Sequence, residues 1–166
     1  MPIPSLIYAF AHSLKSPHGR LLDLRQPQLM GILNLTPDSF YPGSRLTPAD
    51  ETALLRRAET MLLAGAAALD VGGYSSRPGA DDIAPAEELR RVLPALAALR
   101  REFPQAFISI DTFRASVAAE AVAAGADLVN DIGGGTLDAD MLPTVARLRV
   151  PYCLMHLRGT PQTMRG

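Results

Sequence analysis

The sequence contains no tryptophan and a single cysteine among its 166 residues, and aromatic residues make up only 5% of it. One cysteine, Cys153, excludes an internal disulfide framework and is typical of a reducing compartment. A basic surplus is also missing, because the formal net charge is -1. Binding to nucleic acid depends on neutralising phosphates with basic residues, so we expect no nucleic-acid partner.

Long hydrophobic runs are missing as well. No apolar stretch approaches the ~18 residues that cross a bilayer, so we expect no membrane partner. Residues 2–11 are apolar, but no positively charged stretch precedes them and no small-residue cleavage pattern follows them. We therefore expect no secretory signal and a cytoplasmic location.

What is present is a composition that is 48% hydrophobic and 20% charged, which fits one globular domain. A short apolar run, a polar glycine-rich loop and a helical pattern follow one another repeatedly. The apolar runs are continuous rather than alternating, which predicts strands buried on both faces of a parallel sheet. These predicted strands cover residues 29–33, 67–71, 107–111, 128–132 and 152–156.

Four helices are predicted between these strands. The first runs from Pro48 to Leu63, with Thr47 as its N-cap and Gly65 after its end. The others follow Pro85, follow Thr112, and cover residues 138–148. The pattern is therefore a repeated βα unit with right-handed crossovers.

The first 27 residues do not follow this repeat. Residues 18–24 indicate a hairpin that closes the bottom of a barrel. The βα repeat itself is compatible with either a doubly wound open sheet or a partial (β/α)₈ barrel, and composition and periodicity do not separate the two. Both architectures place ligands at the carboxyl ends of the strands.

The loops after the predicted strands carry many polar residues. Each has a plain structural interpretation: Asp111 and Thr112 could be a helix-capping pair, residues 133–135 a tight turn, His156 a hydrogen-bonded structural residue, and Asp70 a residue that holds its loop through backbone amides. Taken singly, none of them identifies a site.

Taken together, these residues predict a pocket for a polar ring and an anion. Asp111 and Asn130 offer acceptors and a donor to the amide–guanidine edge of a flat heterocycle, because desolvated polar groups need partners. The side-chain oxygen of Asn34 suits Mg²⁺ beside a phosphate, and Arg77 is placed to meet an anion. The residues alone leave the reaction undetermined.

Five segments of the chain resemble the dihydropteroate synthase family. Residues 30–40 read MGILNLTPDSF and residues 70–80 read DVGGYSSRPGA, which are similar to the family's first two signatures. The later strand ends are similar too, with ISIDT at 108–112, AGADLVND at 124–131 and MHLRGTP at 155–161. The similarity runs from about residue 20 to the last residue, in the family's order.

The resemblance implies a (β/α)₈ barrel and a reaction. The family joins p-aminobenzoate to 6-hydroxymethyl-7,8-dihydropterin diphosphate, which gives dihydropteroate and releases diphosphate with the help of Mg²⁺. By the resemblance, Asn34 helps to bind Mg²⁺ and diphosphate, and Asp111 and Asn130 bind the pterin ring. The resemblance places the remaining substrate contacts at Phe40, Ser76, Arg77 and Pro78, in the two loops that form the p-aminobenzoate subsite.

Three departures from the family pattern stand out. Tyr74 occupies the position of a glutamate, with Ser76 in place of threonine, and Pro42 lies where the first loop usually carries a second aspartate. A barrel of this type needs about 250 residues. We therefore expect residues 1–166 to form one pterin-binding barrel domain, α/β in class, with about five βα units after the hairpin and truncated before the sixth strand.

The expected truncation has consequences for activity and stability. The family's catalytic lysine, a further pterin-binding aspartate, an arginine–histidine pair for diphosphate and the helices of its homodimer interface are expected beyond the last residue. Five strands with open edges predict low stability for the chain alone. Two other hypotheses stay open, namely a non-catalytic pterin-binding relic and a pterin-dependent methyltransferase domain.

Overall fold

The computed structural model describes residues 12–36, 48–75 and 81–156. In this part of the chain the strands are β1 Ser13–Lys15, β2 Leu21–Asp23, β3 Leu29–Asn34, β4 Ala66–Gly72, β5 Phe107–Asp111, β6 Leu128–Asp131 and β7 Tyr152–Leu154. The helices are α1 Pro48–Leu63, α2 Pro85–Glu102, α3 Ala115–Ala123 and α4 Met141–Leu148. None of these helices is long and apolar enough to span a bilayer.

The order of the strands decides between the two architectures. Strands β3 to β7 form one parallel sheet whose spatial order is the same as their order in the chain. A doubly wound sheet reverses its strand order at a switch point and carries helices on both faces. Here the order does not reverse among the described strands, and all four helices pack into one apolar core with one face of the sheet. The fold is that of an incomplete (β/α)₈ barrel, as predicted.

The two faces of the sheet differ in what covers them. Side chains alternate along a strand, so every second residue faces the helices. Those residues are fully or nearly fully buried; they are Leu33, Leu69, Val71, Ile108, Ile110 and Val129. The opposite face is the inner face of the barrel.

At the amino ends of the strands, a hairpin covers the inner face. Strands β1 and β2 pair antiparallel, and Leu14 and Leu22 of this hairpin pack on Ala68, Phe107 and Leu128. The predicted hairpin at the bottom of the barrel is therefore confirmed, although it begins earlier in the chain, at Ser13.

Glycines end two of the helices where the backbone has a positive φ. Gly65 follows α1 with φ +96° and Gly125 follows α3 with φ +108°. After α3, the amide of Gly125 donates to the carbonyl of Val122 and that of Ala126 to the carbonyl of Ala121. This pair of bonds is the Schellman ending, which requires the left-handed conformation that glycine adopts without strain.

Three predicted elements are shorter than expected, and β6 is one of them because it ends at Asp131 rather than at residue 132. Helix α4 begins at Met141 rather than at Asp138, because the Asp138 carboxylate accepts bonds from the amides of Ala115 (2.7 Å) and Asp140 (2.9 Å) and so holds a turn. Strand β7 ends at Leu154 rather than at residue 156. Leu154 pairs with Asp131, which is the last residue of the neighbouring strand β6. The predicted N-cap at Thr47 lies outside the described residues.

Candidate ligand-binding site

One row of residues crosses the whole sheet at its carboxyl edge. The parallel register places Asn34 beside Gly72, Gly72 beside Asp111, Asp111 beside Asn130, and Asn130 beside Cys153. We call these five residues the carboxyl-end row. Residues in register on parallel strands face the same way, and this row lies on the inner face, opposite the helices. The three predicted site residues in the row are thus brought together.

Gly72 leaves a gap in the middle of this row. A Cβ atom at this position would lie 3.5 Å from Cβ and Oδ2 of Asp111 and 3.6 Å from Oδ1 of Asn34. Any longer side chain would fill the space between the carboxylate and the amide. The glycine therefore keeps an opening in which a ligand atom can approach both groups.

A second polar layer lies one step deeper on the same face. Asp70 and Ser109 are in register with each other and are exposed by only 4% and 0%. Nδ2 of Asn130 donates to Oδ2 of Asp70 over 3.0 Å. Because the NH₂ group of Asn130 turns toward Asp70, its carbonyl oxygen is left as an acceptor for another group.

The electrostatics of this end of the sheet are acidic. Burial, followed by the nearby charges of Asp70, Glu88 and Asp131, raises the pKa of Asp111 to about 7. Burial also raises the pKa of Asp70, against the opposing effect of the Ser109 hydroxyl and the Asn130 amide. Among the described residues, neither Asp70 nor Asp111 has a basic partner. This end of the sheet therefore favours a ligand edge rich in N–H donors.

Asp131, next to the row, has a structural task instead. Its carboxylate accepts the amides of Gly133 (2.7 Å) and Gly135 (2.8 Å) and the hydroxyl of Tyr152 (2.6 Å). Gly134 and Gly135 have positive φ, and a Cβ at Gly134 would lie 2.4 Å from the Met155 carbonyl oxygen. The glycine run is therefore a tight turn, in line with its structural interpretation.

Asp111 does not cap the following helix. The amides at the start of α3 are held by other residues: Thr112 Oγ1 accepts from Arg114 (3.2 Å), and Asp138 accepts from Ala115. Since Asp111 makes no hydrogen bond within the part of the chain that the structure describes, capping does not account for it. The interpretation of Asp111 as a ligand-facing acceptor is the one that the geometry favours.

The remaining predicted site residues have different outcomes. Phe40, Ser76, Arg77 and Pro78 lie outside the described residues, as does Pro42. Asn34 is exposed at the carboxyl end of β3, and His156 is exposed beyond the end of β7.

The fit of the described residues to Mg²⁺ rests on Asn34. Within residues 12–36, 48–75 and 81–156, no three His, Cys, Asp or Glu side chains form a group that could hold a metal ion. Magnesium commonly keeps several waters and takes one or two protein oxygens together with substrate phosphates. The exposed amide oxygen of Asn34 fits one such ligand position, whereas the described residues do not form an all-protein cage.

The sequence pattern names Asp70 as a residue that holds its loop, whereas in the structure its carboxylate accepts a hydrogen bond from Asn130. Its position two residues before Gly72 places both residues on one strand face. Sequence reasoning missed one further buried acid. Glu88 was not singled out, yet it is fully buried and paired with Arg114. Its helical spacing to Val92 was the available signal, because residues four apart share a helix face.

These features define a class of protein: an incomplete α/β barrel with an acidic row of side chains, rich in hydrogen-bond acceptors, at the carboxyl ends of its strands. Residues 30–166 match the family model described as "Pterin binding enzyme". The chain belongs to this pterin-binding enzyme family.

Known relatives support the assignment. The chain is 46% identical over 142 residues to the dihydropteroate synthase of Synechocystis, covering 86% of this chain and 48% of that protein. The structure of the Xanthomonas albilineans dihydropteroate synthase with 4-aminobenzoic acid is 40% identical, with a TM-score of 0.79 and coverage of 89% of this chain and 53% of that one. The Clostridium difficile synthase, solved in the presence of pteroic acid, is 38% identical with a TM-score of 0.75, covering 81% and 50%. The chain thus spans about half the length of these relatives.

Proposed function

We propose that the protein is a dihydropteroate synthase of folate biosynthesis. It would condense 6-hydroxymethyl-7,8-dihydropterin diphosphate with p-aminobenzoate and release diphosphate. Family membership and the identity to named synthases support the proposal. The single observation that carries it is the side-by-side placement of Asp111 and Asn130 on the inner face, with no cation beside them in the described part of the chain.

Recognition of the pterin would use complementary hydrogen bonds. The Asp111 carboxylate accepts from the N–H groups of the pterin's amide–guanidine edge. Asn130, oriented by Asp70, presents its carbonyl oxygen and a remaining N–H to the same ring. A buried acceptor left without such a partner is unfavourable by about 1–3 kcal/mol, so this edge discriminates against rings that lack the donors.

The chemistry is a displacement at the pterin methylene carbon. The C–O bond to diphosphate breaks, the amine nitrogen of p-aminobenzoate forms the new C–N bond, and one amine proton leaves to the diphosphate or to water. As the bond to diphosphate breaks, positive charge develops on the pterin. In this proposal the carboxylates of Asp70 and Asp111, on the inner face of the sheet, would stabilise that charge.

Magnesium, when bound, neutralises the charge of the leaving diphosphate. Asn34 would supply one ligand oxygen from the end of β3, and diphosphate oxygens and water would complete the coordination. The p-aminobenzoate subsite would be formed by Phe40, Ser76, Arg77 and Pro78, a proposal supported by their place in the matching motifs.

The remaining parts of the proposal concern the whole protein. Residues 1–166 would be the first part of one pterin-binding barrel domain, with the catalytic lysine supplied by a later strand. The complete synthase would be a homodimer that acts in the cytoplasm on small-molecule substrates. Support for these points comes from the resemblance and from the relatives, which are about twice as long as the chain.

The test is pterin binding and turnover in the natural polypeptide with Asp111→Asn. Titration with the pterin diphosphate should show an affinity at least about tenfold weaker than that of the wild type, because a charged acceptor is lost. Glu120→Gln is the matched control, since Glu120 is exposed on α3 in the same βα unit. Its affinity should be unchanged.

Two outcomes would contradict the proposal. Equal pterin affinity in Asp111→Asn and wild type would remove Asp111 from the site. Pterin binding by the wild type without release of diphosphate when p-aminobenzoate is added would favour the non-catalytic relative instead.

A further inference from the structure

A charged cluster centred on Arg114 lies outside the carboxyl-end row. The guanidinium is only 12% exposed and donates from NH1 to Oε2 of Glu88, a fully buried side chain on α2, over 2.7 Å. The pKa of Glu88 is raised, because the effect of burial exceeds the opposing effect of the hydrogen bonds and charges of its neighbours, Arg114 among them. One ion pair is sufficient to explain a buried arginine beside a buried acid, but Arg114 makes further contacts.

The same guanidinium reaches the end of the connection between β4 and α2. Its NH2 donates to the carbonyl oxygen of Ile83 over 2.6 Å and to Oδ1 of Asp82 over 3.0 Å. Asp82 and Ile83 lie three and two positions before the start of α2, so Arg114 of the next βα unit holds the segment that leads into this helix.

Arg114 also reaches the start of this connection. Its Cζ lies 5.0 Å from the ring centroid of Tyr74, two residues after β4, and 5.0 Å from that of Phe113. The two rings meet edge to face, with centroids 5.0 Å apart. A cation at this distance from aromatic rings is attracted to them. One guanidinium therefore contacts the chain on both sides of residues 76–80.

We propose that Arg114 is a positioning residue that holds the two described ends of the β4–α2 connection, Tyr74 at its start and Asp82 and Ile83 near its end, and in this way supports p-aminobenzoate binding. The p-aminobenzoate part rests on the proposed function. Tyr74 takes part in the same set of contacts. At the position where the family pattern has a glutamate, this chain has an aromatic ring that the Arg114 guanidinium covers. Only arginine combines a planar face for the ring with enough donors for Glu88, Asp82 and Ile83.

The test begins with Arg114→Lys in the natural polypeptide. Lysine keeps the charge beside Glu88 but lacks the planar fork, so the fold is retained while the contacts to Tyr74 and Ile83 are lost. Arg101→Lys is the matched control, because Arg101 is 62% exposed and pairs only at the surface, with Glu51. Tyr74→Leu and Tyr74→Phe form a second pair, in which phenylalanine keeps the ring.

The first readout is amide hydrogen exchange, which needs no activity. In Arg114→Lys and Tyr74→Leu, exchange in the peptide covering residues 74–84 should rise by about fivefold or more, with α3 and β5 unchanged. Arg101→Lys should match the wild type, and Tyr74→Phe, which keeps the ring, should show a smaller rise than Tyr74→Leu. Unchanged exchange at residues 74–84 in both loosened variants would overturn the proposal, and so would an equal rise throughout α3 and β5.

The second readout separates this inference from the proposed function. In the condensation assay, Arg114→Lys should raise the KM for p-aminobenzoate by about fivefold while pterin affinity stays constant. A larger loss of pterin affinity than of p-aminobenzoate affinity would overturn the positioning role. If the wild type released no diphosphate, the proposed function and the subsite assignment would fail, while the exchange data would still decide whether Arg114 holds the connection.

Discussion

Asp127 at the amino end of the barrel sheet and Asp111 at its carboxyl end differ in whether basic groups and hydrogen-bond donors surround the carboxylate. At the amino end, Asp127 is fully buried, and its carboxylate accepts bonds from Arg20 (2.8 Å), from Arg100 (2.9 Å) and from the Ile108 amide (2.9 Å). At the carboxyl end, Asp111 is partly buried, yet no described residue bonds to it or neutralises it, and burial together with nearby negative charges raises its pKa to about 7.

This difference indicates that Asp127 stabilises the fold and that Asp111 can bind a ligand. Asp127 joins three parts of the chain, because Arg20 leads into β2, Arg100 lies on α2 and Asp127 itself precedes β6. A buried charge with complete partners is a fixed connection. A buried charge without them is unfavourable in the free protein, and that unfavourable energy is relieved when a donor-rich ligand binds.

The largest expected effect comes from removing the compensated acid. Asp127→Ala leaves two partly buried arginines without their anion, so we expect the free energy of unfolding to fall by about 3–5 kcal/mol. Urea unfolding followed by circular dichroism measures this directly. A loss as small as that of an exposed ion pair would mean that the amino-end network does not hold the barrel together.

Replacing Asp111, which has no basic partner among the described residues, should change the free energy of unfolding in the opposite direction. The folded pKa of Asp111, about 7, lies well above the ordinary value for an aspartate, so the folded state keeps this proton to a higher pH than the unfolded state does. Stability is therefore lost as the pH rises from about 4 to about 7, by about 2–4 kcal/mol. Asp111→Asn removes this loss, and we expect the variant to be more stable than the wild type at pH 8 while binding pterin less tightly.

Unfolding curves of both proteins at several pH values test that sign. The gain of Asp111→Asn over the wild type should be greatest above pH 7 and should shrink toward pH 4. A stability difference that does not change with pH would show that Asp111 titrates normally and that the contrast between the two ends is not electrostatic.

A smaller effect on stability is expected at Asp131, whose carboxylate lies at the carboxyl end of the sheet but has hydrogen-bond donors around it. Tyr152→Phe removes the hydroxyl that donates to Asp131 over 2.6 Å, while the amides of Gly133 and Gly135 remain. We expect a loss of about 1.5 kcal/mol in unfolding free energy, because a hydrogen bond to a charged group is lost. A variant as stable as the wild type would place Asp131 with Asp111 rather than with Asp127.

The smallest effect is expected in the hairpin. Asp23 forms a short ion pair with Arg25 over 2.5 Å, but both side chains are largely exposed, and water screens the interaction. Asp23→Asn should leave the unfolding midpoint unchanged within error. A clear shift would mean that the distance between charges, rather than their burial, decides what an ion pair contributes in this protein.

Much of the fold could be predicted because local patterns specify it. Helix α1 was predicted with its observed bounds from Pro48 to Leu63, and strand β5 with its bounds from Phe107 to Asp111. The start of α4 was missed because the carboxylate of Asp138 bonds to an amide 23 residues earlier in the chain, and no local pattern reports such a contact. Of the site, the predicted pair Asp111 and Asn130 is brought together, whereas Phe40, Ser76, Arg77 and Pro78 stay predictions.

The sequence by itself determined the βα repeat, the inner and outer faces of the strands and the polar residues at their carboxyl ends, because side-chain periodicity and turn residues act over a few positions. Only the tertiary structure decided the sequential strand order, the charge balance around each acid and the role of Asp70 in orienting Asn130. A pKa, an ion pair and a pocket depend on which groups from distant parts of the chain come within a few ångströms of one another. Asp127 and Asp111 are both aspartates at or next to the end of a strand. Their neighbours in space give Asp127 a structural role and leave Asp111 able to bind a ligand.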